Sequence, residues 1–284
     1  MRPDVKAFYD APTGSVQYVV ADPVSAHCAI IDPVLDFDRS AGRFSTTNAD
    51  TILDYISRRG LAVDWILDTH PHADHMSAAH YLHDRTGAPT AIGARVIEVQ
   101  GIWQERYDLP ALKADGRQWN RLLADGDVVQ VGGMELCTVA APGHTLASVI
   151  YSIGDAAFIN DTIFMPDSGT ARTDFPGGSA EDLWQTISRI KDFPAEMRLF
   201  AGHDYRPQGR ELAFESSLAS QEGNTHLAGR SRQQFIQERQ ARDRTLPFPD
   251  LMLLALQVNL DGGRWPGADG AGRRFLKMPV EVGW

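Results

Sequence analysis

Three histidines and one aspartate fall within a single seven-residue stretch, Thr69-His70-Pro71-His72-Ala73-Asp74-His75. Imidazole and carboxylate groups clustered at such spacing are typical of metal sites in proteins. In an extended segment His70 and His72 point to the same side, because side chains alternate along it. Asp74 and His75 begin the next turn and can face back toward them. The spacing therefore predicts one cavity that holds up to four metal ligands.

The residues on either side of this motif indicate which elements hold it. Trp65-Ile66-Leu67 precedes it, within a strand that we predict over residues 63–67. Apolar residues follow at helical spacing, at Met76, Ala79 and Leu82, and a glycine at position 87 ends that pattern. The motif is thus predicted to lie on the loop where a buried strand gives way to a helix.

Three further donors stand singly, each at the end of a run of residues that we predict to be a strand. His144 follows one such run, Asp161 closes a second and His203 closes a third. Rigid strands commonly bring ligands from distant parts of a sequence to one edge of a sheet. Together with the histidine-rich motif, these donors predict a metal centre built from four loops.

The rest of the chain alternates strands and helices in two halves, which predicts stacked sheets with helices outside. No linker stands out, so we predict one domain over residues 1–284, with a helical or irregular C-terminal extension from about residue 205. The polar segment 36–48 is predicted to be a loop, 94–121 is predicted to mix helix and loop, and an apolar run at 251–260 stays unassigned. The other predicted elements are strands at 15–20, 26–33, 90–93, 128–131 and 134–139 and helices at 48–59, 180–191, 209–221 and 232–241.

Composition limits the class of protein. The chain has 284 residues, of which 43% are hydrophobic, and a formal net charge of −10. This acidic balance argues against a nucleic-acid partner. No apolar run approaches the roughly 18 residues that a membrane helix needs, and residues 1–6 lack a secretory hydrophobic region. With Cys28 and Cys137 as its only cysteines, we expect a soluble cytoplasmic protein without membrane partners, and the sequence is compatible with a homo-oligomer.

For several other residues we prefer a structural role to a functional one. Asp68 is predicted to hydrogen-bond near the metal rather than bind it, and His80 and His83 are predicted to be exposed or capping groups. Three aromatic side chains are predicted to pack in the core or in a lid rather than to cover the site: Trp103, Tyr107 and Trp119. Basic residues late in the chain alternate with Gln, Glu and Asp, which is typical of a solvated helix face. They are Arg230, Arg232, Arg239, Arg242 and Arg244.

Taken together, the motif at 69–75, Gly143-His144, Asp161 and Gly202-His203 resemble the metallo-β-lactamase superfamily over roughly residues 10 to 210. The resemblance implies an α+β fold, an αββα sandwich of two mixed β-sheets flanked by helices, with the site at one edge of both sheets. It also implies a common division of the donors between two ions bridged by Asp161: His70, His72 and His144 on one, and Asp74, His75 and His203 on the other.

A second set of residues resembles the persulfide dioxygenase branch of this superfamily, also called sulfur dioxygenases. The set comprises Asp161-Thr162-Ile163-Phe164, residues 169–178 with Arg172-Thr173-Asp174 at their centre, and Gly202-His203-Asp204-Tyr205. Enzymes of that branch oxidise glutathione persulfide with O2 to sulfite and glutathione. They hold one Fe(II) per chain with two histidines and one aspartate, which match His70, His144 and Asp161 here. The resemblance therefore implies a small-molecule persulfide and O2 as substrates.

The chemistry of these donors agrees with that resemblance. Two imidazoles and one carboxylate leave three positions open on Fe(II), enough for a sulfur anion and O2 together. The net positive charge of such a site favours a persulfide anion. Arg172 and Tyr205 are candidates for holding the substrate, and Tyr205 is also a candidate catalytic residue, whereas a structural ion pair with Asp174 is the alternative role for Arg172. The other donors would orient ligands around the iron: His72, Asp74, His75 and His203.

Two alternatives stay open. Every donor of the superfamily is present, so a site with two Zn(II) per chain could instead catalyse hydrolysis, as a thioester hydrolase of the glyoxalase II type does. Against that activity stand residues 172–178 and a C-terminal part that does not match the glutathione-binding helices of that enzyme. The second alternative is a non-catalytic metal-binding module that uses the fold as a scaffold. The loss of a donor would favour such a module, and no donor is lost.

Overall fold

Strands form the centre of the molecule, and the structure, a computed structural model, describes residues 1–280. In chain order the strands are β1 (Asp4–Asp10), β2 (Ser15–Ala21), β3 (His27–Ile31), β4 (Val34–Asp38), β5 (Arg43–Ser45), β6 (Ala62–Leu67), β7 (Met76–Ser77), β8 (Thr90–Gly93), β9 (Arg121–Leu123), β10 (Val128–Val131), β11 (Met134–Ala140), β12 (Val149–Ile153), β13 (Ala156–Asn160), β14 (Arg198–Ala201) and β15 (Glu215–Ser217). The helices are α1 (Thr47–Arg59), α2 (Ala79–Thr86), α3 (Val96–Tyr107), α4 (Ala180–Lys191), α5 (Leu218–Gln221), α6 (Arg232–Asp243) and α7 (Met252–Asn259).

The strands form two six-stranded sheets and one small sheet. The first sheet has the order β1-β2-β3-β6-β8-β9, and its strands from β3 to β9 run parallel. The second has the order β10-β11-β12-β13-β14-β15, in which β13 and β14 are the parallel pair. Parallel neighbours end at the same edge of a sheet, so the loops that follow β3, β6, β13 and β14 are brought to edges where they can meet.

The core between the two sheets follows from the alternation of side chains along each strand. In β2, Tyr18 and Val20 face the second sheet, where Tyr18 packs on Phe158 with ring centroids 5.1 Å apart. Val19, on the other face of the same strand, packs with Ile52 of α1 beneath the helices of the first sheet. Each such buried aliphatic side chain stabilises the fold by about 1.5–3 kcal/mol. The result is the predicted sandwich with helices on both outer faces.

Most predicted elements of the first two hundred residues are confirmed, but the short strands β7, β9 and β12 are not in the prediction, and two further differences are larger. The strand β1 is absent from the prediction, although it pairs with β2 along its whole length. Residues 36–48 are not a loop: β4 and β5 form a hairpin in which Phe37 and Phe44 lie across from each other with ring centroids 4.6 Å apart. Cross-strand aromatic contacts of this kind stabilise a short hairpin even where the sequence is polar.

The C-terminal part differs more from its prediction. Residues 209–221 are not one helix, because an irregular segment leads into β15 and the helix α5 begins only after Ser217, whose side chain caps it. The unassigned apolar run is the helix α7, which is buried on several sides and therefore lacks an amphipathic period. The predicted solvated face of α6 is wrong at Arg239, which is 4% exposed.

Two further predictions concern burial and membranes. The aromatic residues Trp103, Tyr107 and Trp119 are buried in a cluster with α7, which confirms core packing over a role in covering the site. No helix within residues 1–280 has the length and apolar character needed to cross a bilayer.

Candidate metal centre

The histidine-rich motif lies on the loop after β6, where the parallel strands of the first sheet end. Thr69 donates its hydroxyl hydrogen to the carboxylate of Asp32, with an oxygen to oxygen distance of 3.0 Å. The same hydroxyl oxygen lies 3.1 Å from Nδ1 of His70. Because its hydrogen is committed to Asp32, this oxygen accepts a hydrogen bond from Nδ1–H. The lone pair on Nε2 of His70 is then free to bind a metal.

Two more imidazoles are oriented by acceptors that carry no hydrogen of their own. His72 donates from Nε2 to Oδ1 of Asp32 at 2.9 Å, which leaves its lone pair on Nδ1. His144 donates from Nδ1 to the backbone carbonyl of Arg172 at 2.8 Å, which leaves its lone pair on Nε2. Burial, with the neighbouring imidazoles, also holds the pKa of His70 and His72 well below the ordinary value. These rings are therefore neutral and ready to act as metal ligands.

The second sheet contributes the remaining three donors. His144 follows β11, Asp161 comes directly after β13, and His203 follows β14. Both histidines of this set are preceded by a glycine, and the reason is steric. A Cβ on Gly143 would lie 2.5 Å from Cα of Leu183 in α4, and a Cβ on Gly202 would lie 2.9 Å from Oδ1 of Asp161. Only glycine allows the backbone to approach this closely.

The structure brings all seven predicted donors to one place. Four groups of three residues in the described chain have ligand atoms within 4.8 Å of one another. One group is the predicted iron set, His70, His144 and Asp161. The others are His72 with Asp74 and His75, Asp74 with Asp161 and His203, and Asp32 with Asp68 and His72.

Unpaired polar atoms at this site fit a bound cation. Seven buried side-chain polar atoms within residues 1–280 have no hydrogen-bond partner, and five of them belong to the predicted donors: Nε2 of His70, Nδ1 of His72, Nε2 of His75, Oδ1 of Asp161 and Nδ1 of His203. A buried polar atom without a partner costs about 1–3 kcal/mol. A metal ion would satisfy nitrogen lone pairs and a carboxylate oxygen together, so the residues present fit such an ion.

Asp161 lies between two halves of the cluster. Its Oδ2 is 3.6 Å from Nε2 of His144, and its Oδ1 is 3.4 Å from Nε2 of His203. One carboxylate oxygen thus faces the His70 side and the other faces the Asp74 side.

Asp74 and His75 are already engaged with each other. Nδ1 of His75 lies 3.1 Å from Oδ2 of Asp74, and the hydroxyl of Ser15 donates to the same oxygen at 3.0 Å. Against the effect of burial, His203 and His75 hold the pKa of Asp74 well below its ordinary value. Burial also disfavours a charged His75, yet the carboxylate of Asp74 raises its pKa overall. This pair therefore resembles an internal ion pair, in contrast to the neutral rings of His70 and His72.

Sequence reasoning missed Asp32, which supports the first part of the site. It comes directly after β3, is 3% exposed, and accepts hydrogen bonds from the backbone N–H and hydroxyl of Thr69 as well as from His72. Burial raises its pKa to about 6, so the carboxyl is ionised at neutral pH. Its φ of 50° is unusual for a residue with a side chain, and such strain concentrates at functional sites. Asp32 lies beside the motif because β3 and β6 are parallel neighbours that end at the same edge of the sheet.

A second missed residue is Asn259, at the end of α7. Its amide nitrogen donates to the backbone carbonyls of His72 and His75 at 2.7 and 2.8 Å, and its oxygen accepts from the N–H of Ser77 at 2.7 Å. The C-terminal helix therefore holds the donor loop by three hydrogen bonds. Nothing in the local sequence pairs position 259 with a loop almost two hundred residues earlier.

A cavity of about 350 Å³ opens beside the donors. It is lined by His144, Asp161 and His203 on one side and by residues of the segment after α6 on the other. Both predicted substrate-binding residues line it. The ring of Tyr205 stacks parallel to that of His203 with centroids 5.4 Å apart, and Tyr205 is 59% exposed.

Arg172 also lines this cavity, but much of its side chain is engaged in holding the protein together. It donates to both oxygens of Asp174 at 2.7 Å and to the backbone carbonyl of Pro247 at 2.6 Å. The structural ion pair with Asp174 is thus present alongside the position at the cavity. Arg172 ties the segment after α6 to the residues that follow Asp161.

Three polar residues near the motif keep structural roles. Asp68 accepts a hydrogen bond from the hydroxyl of Ser77 at 2.9 Å and lies in the group with Asp32 and His72. His80 lies 3.8 Å from Asp84 on α2, and Nδ1 of His83 lies 2.8 Å from the carbonyl of Ala88. Among the described residues, neither histidine belongs to a donor group.

Comparison with known proteins agrees with this architecture. A family model described as the metallo-beta-lactamase superfamily matches residues 11–203. A beta-lactamase hydrolase-like protein of Xylella fastidiosa is 58% identical over 281 residues, which cover 99% of this chain and 65% of that protein. A probable metallo-hydrolase of Burkholderia pseudomallei is 41% identical, with 98% of this chain and 99% of that protein covered. The chain thus spans about two thirds of the length of the Xylella relative.

A solved structure adds a match at the level of the fold. The crystal structure of ETHE1 from Myxococcus xanthus superposes with a TM-score of 0.74 and 28% identity, covering 92% of this chain and all of that one. Strand order, donor positions and sequence matches all agree with the predicted superfamily. The chain belongs to the metallo-beta-lactamase superfamily.

Proposed function

We propose that this protein is a persulfide dioxygenase that oxidises a low-molecular-weight persulfide, such as glutathione persulfide, with O2 to sulfite. One Fe(II) per chain would be held by His70, His144 and Asp161. The observation that carries the proposal is their geometry, since their ligand atoms lie within 4.8 Å of one another. Both imidazoles also present Nε2 lone pairs, because Nδ1 of each is already a hydrogen-bond donor.

The chain's own residues orient the reactants around this trio. Bound Fe(II) supplies adjacent open positions for a sulfur anion and for O2. Asp74, His75 and His203 form a polar surface beside Asp161, with His203 Nε2 3.4 Å from both carboxylates. This surface can hydrogen-bond to oxygen atoms as they are added to sulfur. The ring of Phe175, centred 5.3 Å from that of His144, limits water on the other side.

Charge at the mouth of the cavity favours an anionic substrate. Three arginines line the cavity, and two of them are paired with carboxylates: Arg172 with Asp174 and Arg239 with Asp243. The side chain of Arg242 is exposed and has no hydrogen bond or ion pair with any of residues 1–280. It is therefore the group available to pair with a substrate carboxylate, such as those of glutathione.

A binuclear thioester hydrolase is the second candidate, and one observation favours it. The two oxygens of Asp161 face His144 and His203, as a carboxylate that bridges two ions would. The name of the Burkholderia relative, a probable metallo-hydrolase, points in the same direction. In that case two Zn(II) ions would supply an activated water, and the same cavity would hold a glutathione thioester.

Metal content measured together with activity separates the two functions. Protein purified anaerobically should contain one iron per chain and consume O2 when glutathione persulfide is added, with sulfite as product. His70→Ala should lose both iron and activity, whereas His80→Ala, a histidine on α2 outside the donor groups, should keep both. Two zinc ions per chain, no O2 uptake and rapid cleavage of a glutathione thioester would overturn the dioxygenase assignment in favour of the hydrolase.

A further inference from the structure

The backbone carbonyl that orients His144 belongs to a segment that is held from a distant helix. Nδ1 of His144 donates to the carbonyl of Arg172 at 2.8 Å. The next residue, Thr173, donates from both its backbone N–H and its hydroxyl to Oδ2 of Asp243, at 2.8 and 2.9 Å. Asp243 is the last residue of α6, in the part of the chain beyond the donors.

Asp243 is itself buried and fixed by a charge partner on the same helix. Arg239, one helical turn earlier, donates from Nε to Oδ1 of Asp243 at 2.9 Å, and both side chains are 2% exposed. Arg239 also donates to the backbone carbonyl of Thr170 at 3.0 Å. Arg239 and Asp243 of α6 thus form hydrogen bonds with both ends of the segment 170–173.

We propose that Asp243 is a positioning residue for the metal centre. Through Thr173 and the carbonyl of Arg172, it fixes the orientation and the tautomer of the His144 ring. The proposal rests on the proposed function only in that His144 is a metal ligand. Asp243 touches neither metal nor substrate. It holds the peptide whose carbonyl decides which nitrogen of His144 carries the hydrogen.

The arrangement gives a role to a buried ion pair on a helix whose other charged residues are exposed. Replacing a buried pair by apolar residues is often neutral or stabilising, so stability alone does not require it. Both hydrogens that Thr173 offers go to Asp243. Partners that orient a ligating histidine typically change metal affinity ten- to a hundredfold when they are removed.

Two double variants test this role without leaving a buried charge unpaired. Arg239→Met/Asp243→Leu removes the pair and the acceptor for Thr173. Arg239→Met/Asp243→Asn differs from it at one position and keeps an acceptor. Binding of Co(II) alone, measured by competition with a chelator, should weaken ten- to a hundredfold in the first variant and return to within about threefold of the parent in the second. In the metal-free protein, ¹⁵N shifts should show that His144 loses its defined Nδ1–H form only in the first.

Controls separate positioning from general loss of stability. Asp155→Asn breaks a partly buried pair with Arg198, whose Nη2 lies 2.7 Å from Oδ1 of Asp155, at the opposite end of β13. It should lower the melting temperature without changing Co(II) affinity or the His144 ring. If the double variants fail to fold, Thr173→Val, which removes one of the two donors, should still weaken Co(II) binding several-fold.

The outcomes are decisive in either direction. Parent affinity and an unchanged Nδ1–H form in the Leu variant or in Thr173→Val would overturn the proposal, as would a failure of the Asn variant to recover. An equal loss of affinity in Asp155→Asn would also overturn it. His144→Ala keeps the two hypotheses apart: if it leaves Co(II) affinity unchanged, the proposed metal site fails, not merely the role of Asp243.

Discussion

The two sides of the cavity are built in opposite ways. We call the side with His70, His144, Asp161 and His203 the floor, and the side with Arg242 and residues 246–249 the wall. Floor residues are 1–7% exposed and lie on short loops directly after strands. The wall runs from the last turn of α6 into the segment between α6 and α7, and its Phe248 is 64% exposed.

This difference separates two tasks. In the floor, the imidazoles of His70 and His144 have their orientation and tautomer fixed by hydrogen bonds, which suits metal chemistry that tolerates little displacement. The wall offers an unpaired cation and apolar side chains on an exposed segment, which suits recognition of variable parts of a substrate. We therefore expect changes in the floor to act on metal and stability, and changes in the wall to act on KM.

The largest effect should come from the floor itself. His70→Ala should weaken metal binding by well over about a hundredfold, because it removes a ligand, while His72→Ala should weaken it by about ten- to a hundredfold at most, the range for a group that orients ligands. Metal per chain after dialysis against a chelator measures both. Equal loss in the two variants would instead indicate a binuclear site in which both histidines are ligands.

A second effect concerns the buried carboxyl beneath the floor. Burial, with the nearby charge of Asp32, raises the pKa of Asp68 to about 7 from an unfolded value of 3.8. Between these values the native state binds a proton that the unfolded state has released, so stability falls as pH rises, by up to about 1.4 kcal/mol per pH unit. Asp68→Asn should flatten this dependence in the metal-free protein, as measured by urea unfolding between pH 4.5 and 8.

An exposed carboxyl just beyond the wall provides the control for that experiment. Asp250→Asn removes a carboxyl whose side chain is 85% exposed, and it should leave the slope of stability with pH unchanged. Some slope should remain below pH 6 in Asp68→Asn, because the pKa of Asp32 is also raised, to about 6. A wild-type protein whose stability is flat or rises over this range would contradict the assignment.

The unpaired cation of the wall should affect substrate binding more weakly. Arg242→Gln should raise KM for glutathione persulfide about fivefold, with kcat unchanged, because an exposed ion pair contributes up to about 1 kcal/mol. The effect should shrink at high salt. Arg244→Gln, an exposed arginine outside the cavity lining, is the matched control. A fall in kcat or in bound metal for Arg242→Gln would show that the wall also reaches the chemistry.

The smallest effect should come from Phe248. Its ring lies 5.9 Å from the guanidinium carbon of Arg172, a contact worth about 0.5–1 kcal/mol at an exposed site. Phe248→Ala should loosen the wall and raise KM about twofold while metal content stays at the parent value. Steady-state kinetics on iron-loaded protein measures the change, and an unchanged KM would remove this residue from the substrate site.

The same division decides how much could be predicted from the sequence. The seven predicted donors, four of them in the floor, are chemically distinctive and follow strands with clear apolar runs, so the sequence predicted that they would lie in one cluster. The role of Asp32 was not predicted, because an aspartate before a proline at the end of a strand is common. Its position beside the donors follows only from the parallel pairing of β3 with β6. Local patterns do not contain that pairing.

The wall could not be predicted for a different physical reason. α7 is buried on several sides and lacks an amphipathic period, and α6 hides an ion pair, Arg239 with Asp243, within a charged sequence. Both helices take their positions from contacts with residues far away in the chain. Their polar residues therefore look solvated until the fold is known.

The three hydrogen bonds made by Asn259 have a consequence for the order of events during synthesis. Asn259 lies 187 residues after the carbonyl of His72 to which it donates. At about 5–20 residues per second, a ribosome needs on the order of ten to forty seconds to make the intervening chain. The histidine loop therefore leaves the ribosome long before Asn259 has been made, and a nascent chain cannot form these hydrogen bonds until residue 259 has been added.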